Sequence, residues 1–122
     1  MDRLDIYRNY IETLVRQYAE IRGLIPTIHR QAVCDRTSDT YGVCSYGWHK
    51  NRRIWGFSIH ITVRQDKVCI EHNGCDRDIA QELVNMGIPK EDIVLCFLAP
   101  GDRTVEGFGE LSTEEPVVSV PA

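Results

Sequence analysis

Leu4, Tyr7, Ile11, Leu14, Tyr18 and Ile21 recur at alternating steps of three and four, with Val15 widening the stripe. That spacing predicts an amphipathic helix of more than four turns, long enough to lie across a sheet. Its other face carries Arg3, Arg8, Glu12, Arg16, Gln17 and Glu20, and Gly23 and Pro26 stop it. From Thr27 the period falls to two. Ile28–Asp35 reads as a first strand, Arg36-Thr37-Ser38-Asp39 as a polar turn, and Thr40–His49 as a second strand.

Lys50-Asn51 then stands where a tight hairpin turn belongs, since asparagine tolerates positive φ. Arg53–Arg64 is the longest strand. Strict alternation there puts Trp55, Phe57, Ile59, Ile61 and Val63 on one face, expected to be the core face, and Ile54, Gly56, Ser58, His60 and Thr62 on the other. Gln65-Asp66 turns into a fourth strand, Lys67–His72, with Val68 and Ile70 inward. A second helix is expected from about Asp76 to Met86, stopped by Gly87 and Pro89. The unbroken apolar run Ile93–Leu98 predicts a buried fifth strand. Helix, four strands, helix, strand implies an α+β domain, with an antiparallel sheet of four to five strands and both helices on one face.

At 122 residues the chain allows one domain. We place that domain over residues 1–99 and read 100–122 as an acidic tail containing glycine and proline, mobile or ordered by a partner. The net charge is −4, and all of it sits in that tail, which holds Asp102, Glu106, Glu110, Glu114 and Glu115 against Arg103. Residues 1–99 are neutral, which argues against a broad phosphate-facing surface. Cys34, Cys44, Cys69, Cys75 and Cys96 are odd in number and contain no CxxC, so free thiols in a reducing cytoplasm are expected. The N-terminus lacks a signal-peptide layout, and no apolar run approaches the ~20 residues of a membrane helix.

Several stretches resemble one family. Tyr46-Gly47-Trp48, Arg53-Ile54-Trp55-Gly56 and Ile59-His60-Ile61 look like the central hairpin of XisI-like proteins. Lys67-Val68-Cys69-Ile70 resembles their next strand, and Gly87-Ile88-Pro89-Lys90-Glu91-Asp92-Ile93-Val94-Leu95 their most distinctive segment. The opening helix and Asp35–Tyr41 fit too, so the likeness covers about residues 2–98. The chain departs from it at Cys75, where the pattern has threonine at the start of the second helix. It also departs at Leu98-Ala99-Pro100, in place of paired prolines, and in the tail. The resemblance implies a cyanobacterial excision controlling factor. Such a factor works beside a recombinase and a companion, the XisH-like protein, which itself resembles a restriction-type nuclease. An accessory protein that binds this companion is the expected role, with no cofactor and no catalysis of its own.

The residues themselves offer little chemistry against that expectation. A restriction-type centre needs Asp/Glu-x-Lys beside a further carboxylate to hold a metal, and no such triplet occurs. Cys69-x-x-His72-x-x-Cys75 has soft ligands, but an offset of three on a strand puts Cys69 and His72 on opposite faces, so no metal site is expected. His60 shares its expected face with Ser58, without an acid to complete a triad, so a small enzyme using this face is only a rival reading. Lys50, Arg52 and Arg53 cluster at one hairpin tip, and Arg64 and Lys67 lie about 36 Å away at the other. Arg53 is expected to stack on Trp48 or Trp55. Direct DNA contact through the first tip is the second reading, less favoured than a protein partner. The candidate interaction surface is therefore Tyr46, Trp48, Lys50, Arg52, Arg53, Ile54 and His60. Open sheet edges, or burial of Ile54 and Tyr46, also give a route to a homodimer.

Overall fold

The computed structural model describes residues 2–21 and 23–112. Helix α1 (Arg3–Glu20) starts at Asp2, whose carboxylate accepts the Asp5 N–H at 2.9 Å, and buries Tyr7, Ile11, Leu14, Val15 and Tyr18. The helix is followed by β1 (Ile28–Asp35), β2 (Thr40–His49), β3 (Arg52–Arg64), β4 (Lys67–Asn73), α2 (Ile79–Met86) and β5 (Ile93–Leu95). They form one five-stranded sheet in the order β1-β2-β3-β4-β5. The first four strands pair antiparallel, and β5, reached through α2, runs parallel to β4. Both helices cover one face, and their apolar stripes close the core over Tyr41, Val43, Ile59, Ile61, Val63, Val68 and Ile70. The expected α+β class and element order hold.

Turn chemistry sets the strand ends. Lys50 and Asn51 have φ of 49° and 64°, and Gln65 and Asp66 have 52° and 60°. Two consecutive left-handed residues twist a two-residue turn to match the right-handed strands on either side. In the β1–β2 turn, the Asp35 carboxylate accepts from the Thr37 N–H and the Ser38 hydroxyl, each at 2.9 Å.

The alternation in β3 does not run unbroken. Val43 pairs with Ile59 and Cys44 with Phe57, so Ser58 is an extra residue. Such a bulge carries two consecutive side chains on one side and exchanges the faces beyond it. Ile59, Ile61 and Val63 therefore point to the core as expected, but Trp55 and Phe57 do not. They lie on the outer face with His60, while Ile54 and Ser58 turn toward the helices. A second bulge, at Glu71, separates the pairs Ile61–Ile70 and His60–His72. It places His72 on the same side as Cys69, contrary to the simple parity expectation.

Helix α2 starts later than Asp76. Asp78 is its N-cap and accepts the Gln81 N–H at 3.1 Å, whereas Cys75 lies outside the helix and bonds to Asn73. The helix ends at Gly87, whose φ of 127° excludes most side chains.

Residues 100–112 also differ from the expectation of a tail. The Gly109 N–H donates to the Ile93 carbonyl at 2.8 Å, so the chain returns beside β5. Phe108 enters the main core, and Leu111 covers Cys69 and Val94 on the outer face. Arg103, only 4% exposed, fixes this return through the Leu98 carbonyl at 2.9 Å and the Glu110 carboxylate at 3.1 Å. The remaining positions of the predicted tail, 113–122, lie outside the described residues.

Three buried tyrosines tie the helices to the sheet and loops through carboxylates. Tyr7 donates to Asp92 at 2.6 Å, Tyr18 to Glu82, and Tyr41 to Asp39 at 2.9 Å. Burial first, and the adjacent carboxylate second, push Tyr7 and Tyr18 up to about 12 and Tyr41 further. Each phenol stays protonated in the fold above the ordinary tyrosine value of about 10. The native state thus binds more protons than the unfolded chain there, and the stabilisation, complete below about pH 10, is lost as pH rises toward 12. The tyrosinate absorbance of Tyr7, Tyr18 and Tyr41 should accordingly appear in one cooperative step together with loss of circular dichroism. Separate, gradual titration of all tyrosines near their ordinary value would contradict these contacts.

Candidate functional site

The helices leave the other sheet face uncovered across β1, β2 and β3. Cross-strand register arranges its side chains in rows: Trp48 opposite Arg53, Tyr46 opposite Trp55, Cys44 opposite Phe57, and Gly42 opposite His60. From β1, His29 pairs with Tyr46, their rings stacked at 5.3 Å and 29°. The Arg53 guanidinium lies 5.7 Å over the Trp48 ring, a cation–π contact. Phe57 and His60 meet with ring centroids 5.3 Å apart, a contact that the bulge at Ser58 makes possible. Trp55 is 70% exposed and Trp48 58%. Large aromatic surfaces held open to water on a rigid sheet are costly unless something covers them, and they are the residue types that dominate binding energy at interfaces.

The backbone beneath these rings is held in place. The Thr27 hydroxyl donates to the Trp48 carbonyl at 2.6 Å, and a side chain at Gly47 would strike the Thr27 carbonyl oxygen at 2.2 Å. Phe57 lies across Gly42, where a Cβ would come within 2.9 Å of its ring. The charge on this part of the face is basic or neutral. Arg53, His29 and His60 sit among the rings, while two carboxylates on the same side among the described residues are engaged. Asp35 is held in its turn, and Glu71 accepts from Thr62 at 2.7 Å and Arg64 at 3.2 Å. Arg64 and Lys67 at the far tip thus face acids: Lys67 lies 3.8 Å from Asp92.

Of the residues singled out in the sequence, Tyr46, Trp48, Arg53 and His60 share this face. Lys50 and Arg52 stand exposed at its tip. Ile54 does not belong: it points to the helix side, where it lines a hollow of about 500 Å³ with Leu24, Ile25 and Ile28. Trp55, Phe57 and His29 complete the surface and were not expected on it. The Ser58–His60 pairing is also absent, because the Ser58 hydroxyl faces inward and donates to the Val43 carbonyl at 3.3 Å. Among the described residues no three His, Cys, Asp or Glu side chains converge on a point that suits a metal ion. No described helix is long and apolar enough to cross a membrane.

Comparison with known proteins agrees with this architecture. No curated protein matches the chain. In the crystal structure of a XisI-like protein from Anabaena variabilis, 32% identical, the match covers 88% of this chain and 98% of that one, with a TM-score of 0.82. The fdxN element excision controlling factor XisI from the same organism is 26% identical over the same shares, with a TM-score of 0.76. The model of the XisI protein family matches residues 1–110, reaching through the returning segment that ends at the β5 edge, and the chain accordingly belongs to the XisI family.

Proposed function

We propose that this chain is an accessory factor controlling excision of a DNA element, and that it acts by holding a nuclease-like XisH-type protein on its open sheet face. The observation that carries the reading is the aromatic row on the open face, the exposed Trp48 and Trp55 flanked by half-buried Tyr46 and Phe57, in a fold similar to that of an excision controlling factor. Rigid aromatic anchors beside one guanidinium give large contact area at small entropic cost, as a protein interface requires. The Ser58 hydroxyl points away from His60, so the hydroxyl–imidazole pair that the sequence suggested is not assembled on this face.

The test is co-expression with an XisH-like protein and purification on a tag carried by either partner. A stoichiometric complex that survives gel filtration at micromolar concentration is expected. Failure to co-elute there would count against the reading. A second reading, direct contact with single-stranded DNA, is favoured by the Arg53–Trp48 stack beside Lys50 and Arg52, because exposed rings and adjacent cations also accept bases and phosphates. Salt separates the two. Phosphate contacts weaken steeply between low and moderate salt, whereas a complex held by aromatic burial persists.

A further inference from the structure

On the outer face, at the end of the sheet away from the open aromatic rows, two cysteines meet. Cys69 on β4 pairs in register with Val94 on β5, and Cys96 follows two residues later on the same side. The Cys96 N–H donates to the Ile70 carbonyl at 2.9 Å, which holds the turn after β5 against β4. Cys69 is fully buried beneath Leu111, while Cys96 is half-buried at the margin of the same cluster. A guanidinium completes the group: Arg64 Nη2 lies 3.5 Å from Cys96 Sγ. The other three thiols, Cys34, Cys44 and Cys75, are spread over β1, β2 and the loop before α2.

We infer that Cys69 and Cys96 form a redox-active dithiol that closes to a disulfide when the protein meets a small-molecule disulfide such as oxidised glutathione. The electrostatics suit the reaction. A hydrogen bond from the Cys96 thiol, with Arg64 assisting, holds Cys69 below the ordinary thiol range, and the same shared proton pushes Cys96 up. Lowering the Cys69 thiol raises the share of thiolate in the pair, and thiolate is the reactive form. The half-buried Cys96 is the sulfur an oxidant reaches. It attacks one sulfur of the small disulfide as its proton passes to the small thiolate that is expelled, which leaves a mixed disulfide on Cys96. The Cys69 thiolate then attacks the Cys96 sulfur and expels the second. Two protein thiols are oxidised and one small disulfide is reduced to two small thiols, with the two protons passing to those leaving groups. The bond would tie the turn after β5 to β4 across α2, and would take the Cys96 sulfur that faces Arg64 into a neutral disulfide. This inference does not depend on the identity of the partner.

The native, reduced protein would be incubated with oxidised glutathione, alkylated, and mapped by peptide mass spectrometry. The expected product has lost two hydrogens, links Cys69 to Cys96, and keeps Cys34, Cys44 and Cys75 alkylated. Dithiothreitol should reverse it, and the midpoint of thermal unfolding should rise by roughly 5–15 °C. Cys96→Ser should abolish both the link and the rise, while Cys75→Ser should change neither. Other pairings, or stable glutathione adducts at Cys96 with Cys69 still reduced, would overturn the inference. So would links that form only after denaturation.

Discussion

Replacing Trp55 by alanine should weaken the complex with an XisH-type partner by roughly 30-fold, the loss expected for a central aromatic anchor. The fold should hardly respond. Trp55 is 70% exposed and supports no part of the core, so a change in stability within about 0.5 kcal/mol is expected. Trp48→Ala should act in the same direction and also strand Arg53, whose guanidinium rests on that ring. Arg16→Ala, on the exposed side of α1 behind the sheet, serves as the control and should leave affinity unchanged. Titration calorimetry on the four proteins supplies the comparison. If the Trp55 variant binds as tightly as the parent, the open face is not where the partner sits.

The second large effect concerns the bulge that makes this face. At Gly42 an added Cβ would stand 2.3 Å from the Ile59 carbonyl oxygen and 2.9 Å from the Phe57 ring. The first of these is backbone, and it is brought close by the extra residue at Ser58. Neither rotamer change nor solvent exposure relieves such a clash, so Gly42→Ala must shift β3 against β2. A loss of about 3 kcal/mol is expected, the upper end for overpacking of a well-filled site. Urea unfolding should show a lower midpoint with an unchanged slope, since the same surface is exposed on unfolding. A midpoint equal to that of the parent would mean that β2 and β3 do not approach in this way.

Much of the fold was legible because its signals are local. The alternating steps of α1, the polar turn after Asp35 and the residues at positions 50–51 each fix a boundary by their own chemistry, so β1 and β2 fall at their expected ends. The face of β3 was not legible. Trp55-x-Phe57-x-Ile59-x-Ile61-x-Val63 alternates without a break, and nothing within that run marks Ser58 as extra. The reason lies on another strand. Gly42 leaves room for the Ile59 carbonyl and for Phe57, and the Gly74 N–H takes the Ser58 carbonyl at 2.7 Å. Such a long-range requirement moves two aromatic residues from the expected core to the surface and sends Ile54 the other way. His60 fell on its expected face because it lies beyond Ser58, where β3 keeps its parity, whereas Arg53 was singled out by its charge at the hairpin tip and not by its face.

The segment after Pro100 failed for a different reason. Glycine and acids with little periodicity resemble an unfolded tail, yet a few tertiary contacts suffice to seat it. Arg103 supplies one, and Phe108 and Leu111 bury themselves on opposite faces of the sheet. Apolar residues spaced three apart, as 108 and 111 are, give no strand or helix signal on their own.

Both tryptophans of the chain, Trp48 and Trp55, lie on the open face, which allows one direct measurement of the central claim. Fluorotryptophan would be incorporated into this chain alone, and its two fluorine resonances followed as an unlabelled XisH-like protein is added. Both resonances should shift or broaden in step with complex formation, and a soluble paramagnetic quencher should reach them less well in the complex. A complex that forms while both resonances keep their positions and their exposure to the quencher would contradict the account.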